Sequence, residues 1–189
     1  MKLLLLPLAA FMCAWLPVRL SAETVPVKTS TAAVSSKTAK AAPEAKKEKP
    51  PYVKQETYFS LPVISGGKAD LADWAGKPVL VVFIASECPY CKRAAPFLES
   101  LYSTYKDKGL GVIAVSLDAN KDEMAEFAKD YKLTFPIALG GISAARAYRM
   151  HGVPDFFLLG KDHKIKLNVP GYDQIFEAPI IAAVEENLK

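Results

Sequence analysis

Two cysteines separated by two residues are the groups of this chain best suited to do chemistry. Cys88 and Cys91 enclose Pro89 and Tyr90, so the two sulfur atoms can close a small disulfide loop and open it again. An apolar, β-branched segment at 79–85 precedes the motif and a helical pattern comes directly after it, which places Cys88 at a strand-to-helix junction. The free N–H groups and partial positive charge of a helix N-terminus favour a thiolate over a thiol. This arrangement predicts thiol–disulfide exchange.

The short spacing of the two cysteines favours a redox-active pair over a structural staple. A disulfide stabilises a protein mainly by constraining the unfolded chain, and the effect is smallest for the shortest loops. A bridge between Cys88 and Cys91 closes a loop of this smallest kind. A static disulfide in a non-enzymatic binding module is the alternative.

The N-terminus has the pattern of an export signal. Residues 1–22 combine a basic start, an apolar stretch and a small residue at the end, which is typical of a cleaved signal peptide. Pro7 and Pro17 interrupt the apolar stretch, which is marginal for a membrane span of about 20 residues. A retained membrane tether through residues 3–20 is the alternative. Cleavage would remove Cys13 and leave the CPYC pair as the protein's cysteines.

Residues 23–54 differ in composition from the rest of the chain. This segment is rich in Ala, Lys and Pro and has almost no large apolar residue, so it is predicted to be a disordered linker. It also contributes seven lysines against three glutamates. The C-terminal part, residues 55–189, has 15 basic and 17 acidic residues, so the positive formal net charge of the chain, +4, arises from the N-terminal segments alone. The charge pattern therefore gives no support for nucleic-acid binding.

Residues 55–189 are predicted to form one α/β domain. A central mixed β-sheet flanked by helices, with an N-terminal β-hairpin, is expected because strand and helix patterns alternate along the chain. Strands are predicted at 56–59, 69–71, 79–85, 110–117, 135–139 and 165–169, with 153–159 as a loop entering a strand. Helices are predicted at 90–106, from 120, at 142–150 and at 179–188.

Four segments carry a resemblance to a known family. They are the lead-in residues 59–81, the CPYC motif with Pro96 five residues beyond it, residues 120–139, and the tripeptide at 152–154. Together they resemble the thioredoxin fold and, within it, the exported TlpA/ResA/CcmG-like thiol–disulfide oxidoreductases related to the AhpC/TSA redoxins. The resemblance implies a thioredoxin-like fold with an extra helix–strand insertion at 120–139.

The same resemblance implies roles for individual residues. Cys88 is expected to be the nucleophile and Cys91 the resolving cysteine. Pro154 is expected to follow a cis peptide bond, which leaves the backbone of Val153 free to pair with a substrate segment. Together with Pro89 and Tyr90, these two residues form the predicted substrate-binding surface.

The sequence departs from the thioredoxin pattern at its charged positions. Val82 and Ala114 stand where thioredoxin has a buried acid and its lysine partner, so the proton carrier for the resolving cysteine is not identified. Glu87 and Asp155 are predicted near Cys88, where like charge would raise the pKa of the thiol and oppose the helix terminus and the nearby Lys92 and Arg93. The alternative is that both carboxylates are solvated surface groups.

Other reactive constellations are weak. His151 and His163 are too few and too far apart to complete a zinc site with the cysteines, so neither a metal nor a cofactor is predicted. Peroxiredoxins have a threonine three residues before their reactive cysteine, and this chain has Ala85 there. Peroxidase chemistry is therefore disfavoured.

The predicted function is thiol–disulfide exchange with protein partners outside the cytoplasm. The resemblance favours a reductase, for example towards apocytochrome c, served by a membrane electron donor. The alternative enzyme is a periplasmic disulfide oxidase or isomerase, including the pilus-assembly type, with a membrane electron acceptor.

Overall fold

A computed structural model describes residues 53–189 of the protein. The predicted signal segment, 1–22, and all but the end of the predicted linker, 23–54, lie outside the described residues. Within 53–189, none of the helices has the length and apolar composition needed to cross a membrane.

The described part contains a central sheet, a separate hairpin and four α-helices. The strands are β1 Ser60–Pro62, β2 Lys68–Asp70, β3 Val79–Ile84, β4 Gly111–Ser116, β5 Ile137–Ala138, β6 Asp155–Leu159 and β7 Ile165–Pro170. The helices are α1 Pro89–Tyr105, α2 Lys121–Asp130, α3 Ile142–Ala147 and α4 Glu177–Leu188. The central strands lie in the order β5–β4–β3–β6–β7. β3 is parallel to β4 and antiparallel to β6, which confirms the predicted mixed sheet.

β3 and β4 lie at the centre of the sheet because every residue in both strands is apolar or small. All six residues of each strand are buried. Alternate residues of β3 enter two hydrophobic clusters on opposite faces of the sheet, as the two-residue period of a strand requires. One cluster includes α1, α2 and α4, and the other includes α3 and the hairpin. The CPYC motif therefore comes after the most deeply buried strand pair of the domain.

The N-terminal hairpin is present, but its first strand begins later than predicted. The expected strand at 56–59 is wrong, because Glu56 and Thr57 form a turn closed by a 3.0 Å hydrogen bond from the Tyr58 N–H to the Gln55 carbonyl. β1 begins at Ser60, which pairs with Asp70 on β2. Pairing with β2 decides where β1 begins, and that partner is not visible in the local pattern.

The predicted helix–strand insertion is also present, with a shorter strand than expected. β5 pairs with β4 over two residues only, and the preceding Pro136 has no N–H with which to extend the ladder. Glu99 on α1 ties this region to the domain, since its carboxylate accepts hydrogen bonds from the Thr134 N–H at 2.7 Å and hydroxyl at 2.6 Å. α3 also ends before the predicted residue 150, because Arg149 has a left-handed φ of 52°.

Candidate active site

The CPYC motif joins the carboxyl end of β3 to the first turn of α1. Cys88 is the N-cap residue of α1, and its Sγ accepts a hydrogen bond from the Cys91 N–H at 3.3 Å. Pro89 is the first helical residue, where its missing N–H costs no hydrogen bond. Both cysteines are free thiols in this structure. The helix terminus thus directs a backbone donor at one sulfur, as the sequence predicted.

The two thiols differ sharply in exposure. Cys88 is half-buried, whereas Cys91, on the buried face of α1, is 1% exposed and belongs to the hydrophobic core. Burial raises the pKa of the Cys91 thiol well above its ordinary value, and the contact with Cys88 acts in the same direction. Cys91 is therefore a protonated, protected thiol at neutral pH, while a partner molecule can reach Cys88.

The loop before β6 lies against the Cys88 sulfur. The peptide bond between Val153 and Pro154 is cis, and the Cys88 thiol donates a hydrogen bond to the Val153 carbonyl at 3.3 Å. Tyr90 is 52% exposed, and Pro89 is exposed too. The structure therefore brings the four residues of the predicted substrate surface around Cys88.

The two positions at which thioredoxin has a buried acid and its lysine partner are apolar in the structure as well. Val82 on β3 and Ala114 on β4 are register partners, and both are 0% exposed. The two residues thus occupy equivalent positions on neighbouring strands, as the sequence predicted. Neither has a group that can exchange a proton with Cys91.

Asp118, which no sequence pattern singled out, holds the loop that leads to Cys88. Its carboxylate accepts hydrogen bonds from the Ser86 N–H at 3.0 Å, the Ser86 hydroxyl at 3.2 Å and the Ser116 hydroxyl at 2.8 Å. These bonds connect the end of β3 to the end of β4, two residues before Cys88. The available signal was a cluster of polar residues directly after a buried parallel strand, where α/β folds place functional groups.

Asp155 is not the solvated acid that the sequence allowed. It is 0% exposed, and its carboxylate accepts hydrogen bonds from the Asn168 amide at 2.6 Å and the His151 N–H at 3.3 Å. The alternative of a surface acid is therefore wrong for this residue, because β6 places it between Phe83 on β3 and Pro170 on β7. Burial raises the pKa of Asp155 above its ordinary value, although both hydrogen bonds oppose the shift. Its influence on Cys88 stays a prediction.

Glu87 is a solvated surface acid, the alternative that the sequence allowed. Its side chain is 88% exposed and forms a 3.6 Å ion pair with Lys92. Exposed pairs of this kind contribute little to stability. Because Glu87 and Lys92, two of the three predicted modulators of Cys88, partly neutralise each other, their joint effect on Cys88 also stays a prediction.

The histidines have separate surroundings. His151 is exposed next to the Val153 loop, whereas His163 is 1% exposed, with its Nε2 atom 3.1 Å from the Trp74 carbonyl oxygen. Among residues 53–189, no group of three or more His, Cys, Asp or Glu side chains is arranged to hold a metal ion.

Replacing Asp155 with asparagine should make stability less sensitive to rising pH. The folded state raises the pKa of this carboxyl, so its stabilising contribution is present below the unfolded pKa of about 3.9 and is lost as pH rises through the folded value. The free energy of unfolding of both proteins would be measured in urea at pH 4 and pH 7. Between these pH values, the stability of Asp155→Asn relative to the unchanged protein should increase. A difference that is the same at both pH values would contradict this assignment.

The fold and the site together define a thioredoxin-fold thiol–disulfide oxidoreductase. The family model of the AhpC/TSA family matches residues 54–168. The chain belongs to this family, as its sequence resemblance implied.

Known relatives and solved structures agree with this class. The thiol-disulfide oxidoreductase ResA of Bacillus cereus is 32% identical over 128 residues, which cover 67% of this chain and 74% of the relative. A thiol:disulfide interchange protein of DsbE type from Chlorobium tepidum aligns with a TM-score of 0.67 and 28% identity, covering 70% of this chain and 94% of that one. StoA from Bacillus subtilis aligns with a TM-score of 0.58 and 25% identity, covering 70% and 98%. The chain is similar to each of them.

Proposed function

We propose that this protein exchanges a dithiol for a disulfide with protein partners outside the cytoplasm, with Cys88 as nucleophile and Cys91 as resolving cysteine. The observation that carries the assignment of roles is the difference between the two thiols. Cys88 is accessible and receives a backbone hydrogen bond, whereas Cys91 is 1% exposed and has a raised pKa.

The proposed reaction has two exchange steps. The Cys88 thiolate attacks one sulfur of a partner disulfide, forms a mixed disulfide and releases the other partner sulfur as a thiolate, which takes up a proton. Cys91 then loses its proton and attacks the Cys88 sulfur, which frees the second partner thiol. The enzyme dithiol has lost two electrons and the partner disulfide has gained them. An oxidase would run the same steps in reverse.

The Val153 loop is the proposed docking edge for the partner. A segment extended beside Val153 would pair with its backbone as an added strand. The hydrogen bond from Cys88 to the Val153 carbonyl places that edge within 3.3 Å of the reactive sulfur. Exposed Tyr90 would then contact residues beside the partner's cysteine.

The direction proposed is reduction, with electrons supplied by a membrane donor. The sequence resemblance to the exported TlpA/ResA/CcmG-like proteins implies this direction. The Pro-Tyr pair between the cysteines favours the second candidate, a disulfide oxidase or isomerase, since glutaredoxins with this dipeptide have potentials above that of thioredoxin. Equilibration with glutathione would separate the two, because a potential near the roughly −120 mV of strong oxidants rules out the reductase.

The proposed organisation links the enzyme domain to the N-terminal export segment through residues 23–54. Residues 1–22 would direct export, or anchor the chain if they are retained, and the linker 23–54 would give the domain reach from the membrane. The apolar start of the sequence and the lysine-rich composition of the linker support this organisation.

Replacing Cys91 with serine should trap the partner on Cys88. Without the resolving thiol the mixed disulfide cannot be released by the second step, so adducts sensitive to reductant should accumulate in cells expressing the full-length variant. Non-reducing gels and mass spectrometry would detect and identify them. Cys13→Ser is the matched control and should not trap. Adducts that form on Cys91 in a Cys88→Ser variant instead would reverse the assigned roles.

A further inference from the structure

A cavity of about 310 Å³ lies beside the first turns of α1. It is lined by Arg93 on α1 and by three consecutive residues after β7, Tyr172, Asp173 and Gln174. This volume is at the lower end of the range of about 300–1,000 Å³ that small-molecule pockets occupy. The proposed exchange with proteins does not use this cavity.

Short contacts connect the cavity to residues that flank Cys88. The Gly171 N–H, next to Tyr172, donates to the Pro154 carbonyl at 2.7 Å. Val153, adjacent to that proline, accepts the hydrogen bond from the Cys88 thiol. On the other wall, the Arg93 guanidinium lies 4.3 Å from the centre of the ring of Tyr90, a residue that stands between the two cysteines in the sequence. The walls of the cavity therefore contact residues on both sides of Cys88, the Val153–Pro154 loop on one side and Tyr90 on the other.

The two charged groups of the cavity are not paired with each other. Within residues 53–189, Arg93 has no ion-pair partner, and its guanidinium stacks on the Tyr90 ring. Asp173 uses Oδ1 to accept a hydrogen bond from the Ile175 N–H at 3.2 Å, and its Oδ2 has no partner in the described part of the chain. Both an accessible cation and an accessible carboxylate therefore face one small space.

The aromatic wall of the cavity is Tyr172, which is buried and packed against two other rings. Tyr172 is 8% exposed, packs against Phe97 and Phe156, and donates its hydroxyl hydrogen to Glu177. Burial and that hydrogen bond raise the pKa of Tyr172 to about 12, while the nearby Arg93 acts in the opposite direction. The phenol thus stays neutral, and the charge of the cavity comes from Arg93 and Asp173.

We propose that this cavity binds the zwitterionic amino-acid head of a low-molecular-weight thiol or its disulfide, with Arg93 facing the carboxylate and Asp173 the ammonium group. The inference rests on the proposed exchange function and extends it to small-molecule substrates. A ligand with only negative charge would meet Asp173, and one with only positive charge would meet Arg93. A ligand carrying both charges satisfies both residues.

The reaction with such a disulfide balances without a further reagent. The Cys88 thiolate forms a mixed disulfide with one half of the small molecule and expels the other half as a thiolate. Cys91 gives up its proton, attacks Cys88 and releases the second half. Two electrons pass from the enzyme dithiol to the small disulfide, which leaves the enzyme as a Cys88–Cys91 disulfide.

Four small disulfides test the charge requirement. Cystine carries both ammonium and carboxylate groups, cystamine lacks the carboxylates, dithiodiglycolic acid lacks the ammonium groups, and 2-hydroxyethyl disulfide is neutral. The rate constant for oxidation of the reduced full-length protein would be measured with each by quenched alkylation. Each rate constant is divided by that for the reaction of dithiothreitol with the same disulfide, which corrects for differences in reactivity between the disulfides themselves. Cystine should exceed the other three by about tenfold, as expected from two charge-assisted contacts.

Variants assign the preference to the cavity. Arg93→Met and Asp173→Asn should each reduce the ratio of cystine to 2-hydroxyethyl disulfide to less than about threefold, since one of the two contacts is lost. Arg146→Met removes the same charge from α3 and should keep the ratio of the unchanged protein. Equal normalised rates for all four disulfides, or a preference that survives both cavity variants, would overturn the inference while leaving protein exchange intact. Failure to react even with 2-hydroxyethyl disulfide would instead reject the proposed exchange function itself.

Discussion

Iodoacetamide should alkylate Cys88 on the order of 100-fold faster than Cys91 at pH 7 in the reduced protein. The thiolate is the reactive form, and its fraction falls tenfold for each unit by which a pKa lies further above the pH. Burial raises the pKa of Cys91 and also blocks access to its sulfur, which is 1% exposed. Both effects act in the same direction, so this difference should be the largest single effect measurable at the site.

The pH dependence of the same experiment tests the cause. Between pH 7 and pH 9, labelling of Cys91 should rise about tenfold per pH unit, because this range lies below its raised pKa. Mass spectrometry of peptides after timed quenching measures each cysteine separately, and a Cys13→Ser background removes the third thiol. Unfolding in urea should bring Cys91 to an ordinary thiol rate. Equal rates for Cys88 and Cys91 in the folded protein would contradict the assignment of nucleophile and resolving cysteine.

Replacing Phe83 with alanine should lower the free energy of unfolding by about 3–5 kcal/mol. Phe83 is 0% exposed on β3, and its ring makes edge-on contacts with Tyr148 at 5.2 Å and Phe157 at 5.8 Å between centroids. The substitution would leave a cavity beneath the strand that leads to Cys88. A loss of this size is a large fraction of the roughly 5–15 kcal/mol that stabilises a typical domain.

Urea unfolding with both proteins held in the reduced state would measure this loss. Ile175→Ala is the matched control, since that apolar side chain is 73% exposed and its truncation should cost less than about 0.5 kcal/mol. A cost below about 1 kcal/mol for Phe83→Ala would show that the aromatic cluster is not the support of β3.

Elements with a strong local pattern are predicted well from the sequence. β3 and β4 are continuous apolar strands that differ from the prediction by one residue at their ends, and α1 differs likewise. Their residues carry the period and the capping signals within the segment itself. The short strands β1 and β5 are displaced or shorter than predicted, because their limits depend on pairing with β2 and β4. Such pairing is not encoded in three or four neighbouring residues.

Asp155 shows why charge alone could not be interpreted from the sequence. A carboxylate after the loop proline is expected to be exposed, since buried acids are rare. The neighbouring strands and Asn168 convert this position into a buried, hydrogen-bonded one. Asp118 shows the same limitation, because its contact with Ser86 joins residues 32 positions apart.

The sequence by itself determined the type of chemistry and the family. Two cysteines at a strand-to-helix junction form a local pattern, which can be recognised from neighbouring residues alone. Only the tertiary structure decided how deeply Cys91 is buried, that Asp155 is a buried acid, and that Arg93 and Asp173 line one cavity. The physical reason is that burial and charge environment arise from packing between segments distant in the chain, and no periodicity within one segment specifies them.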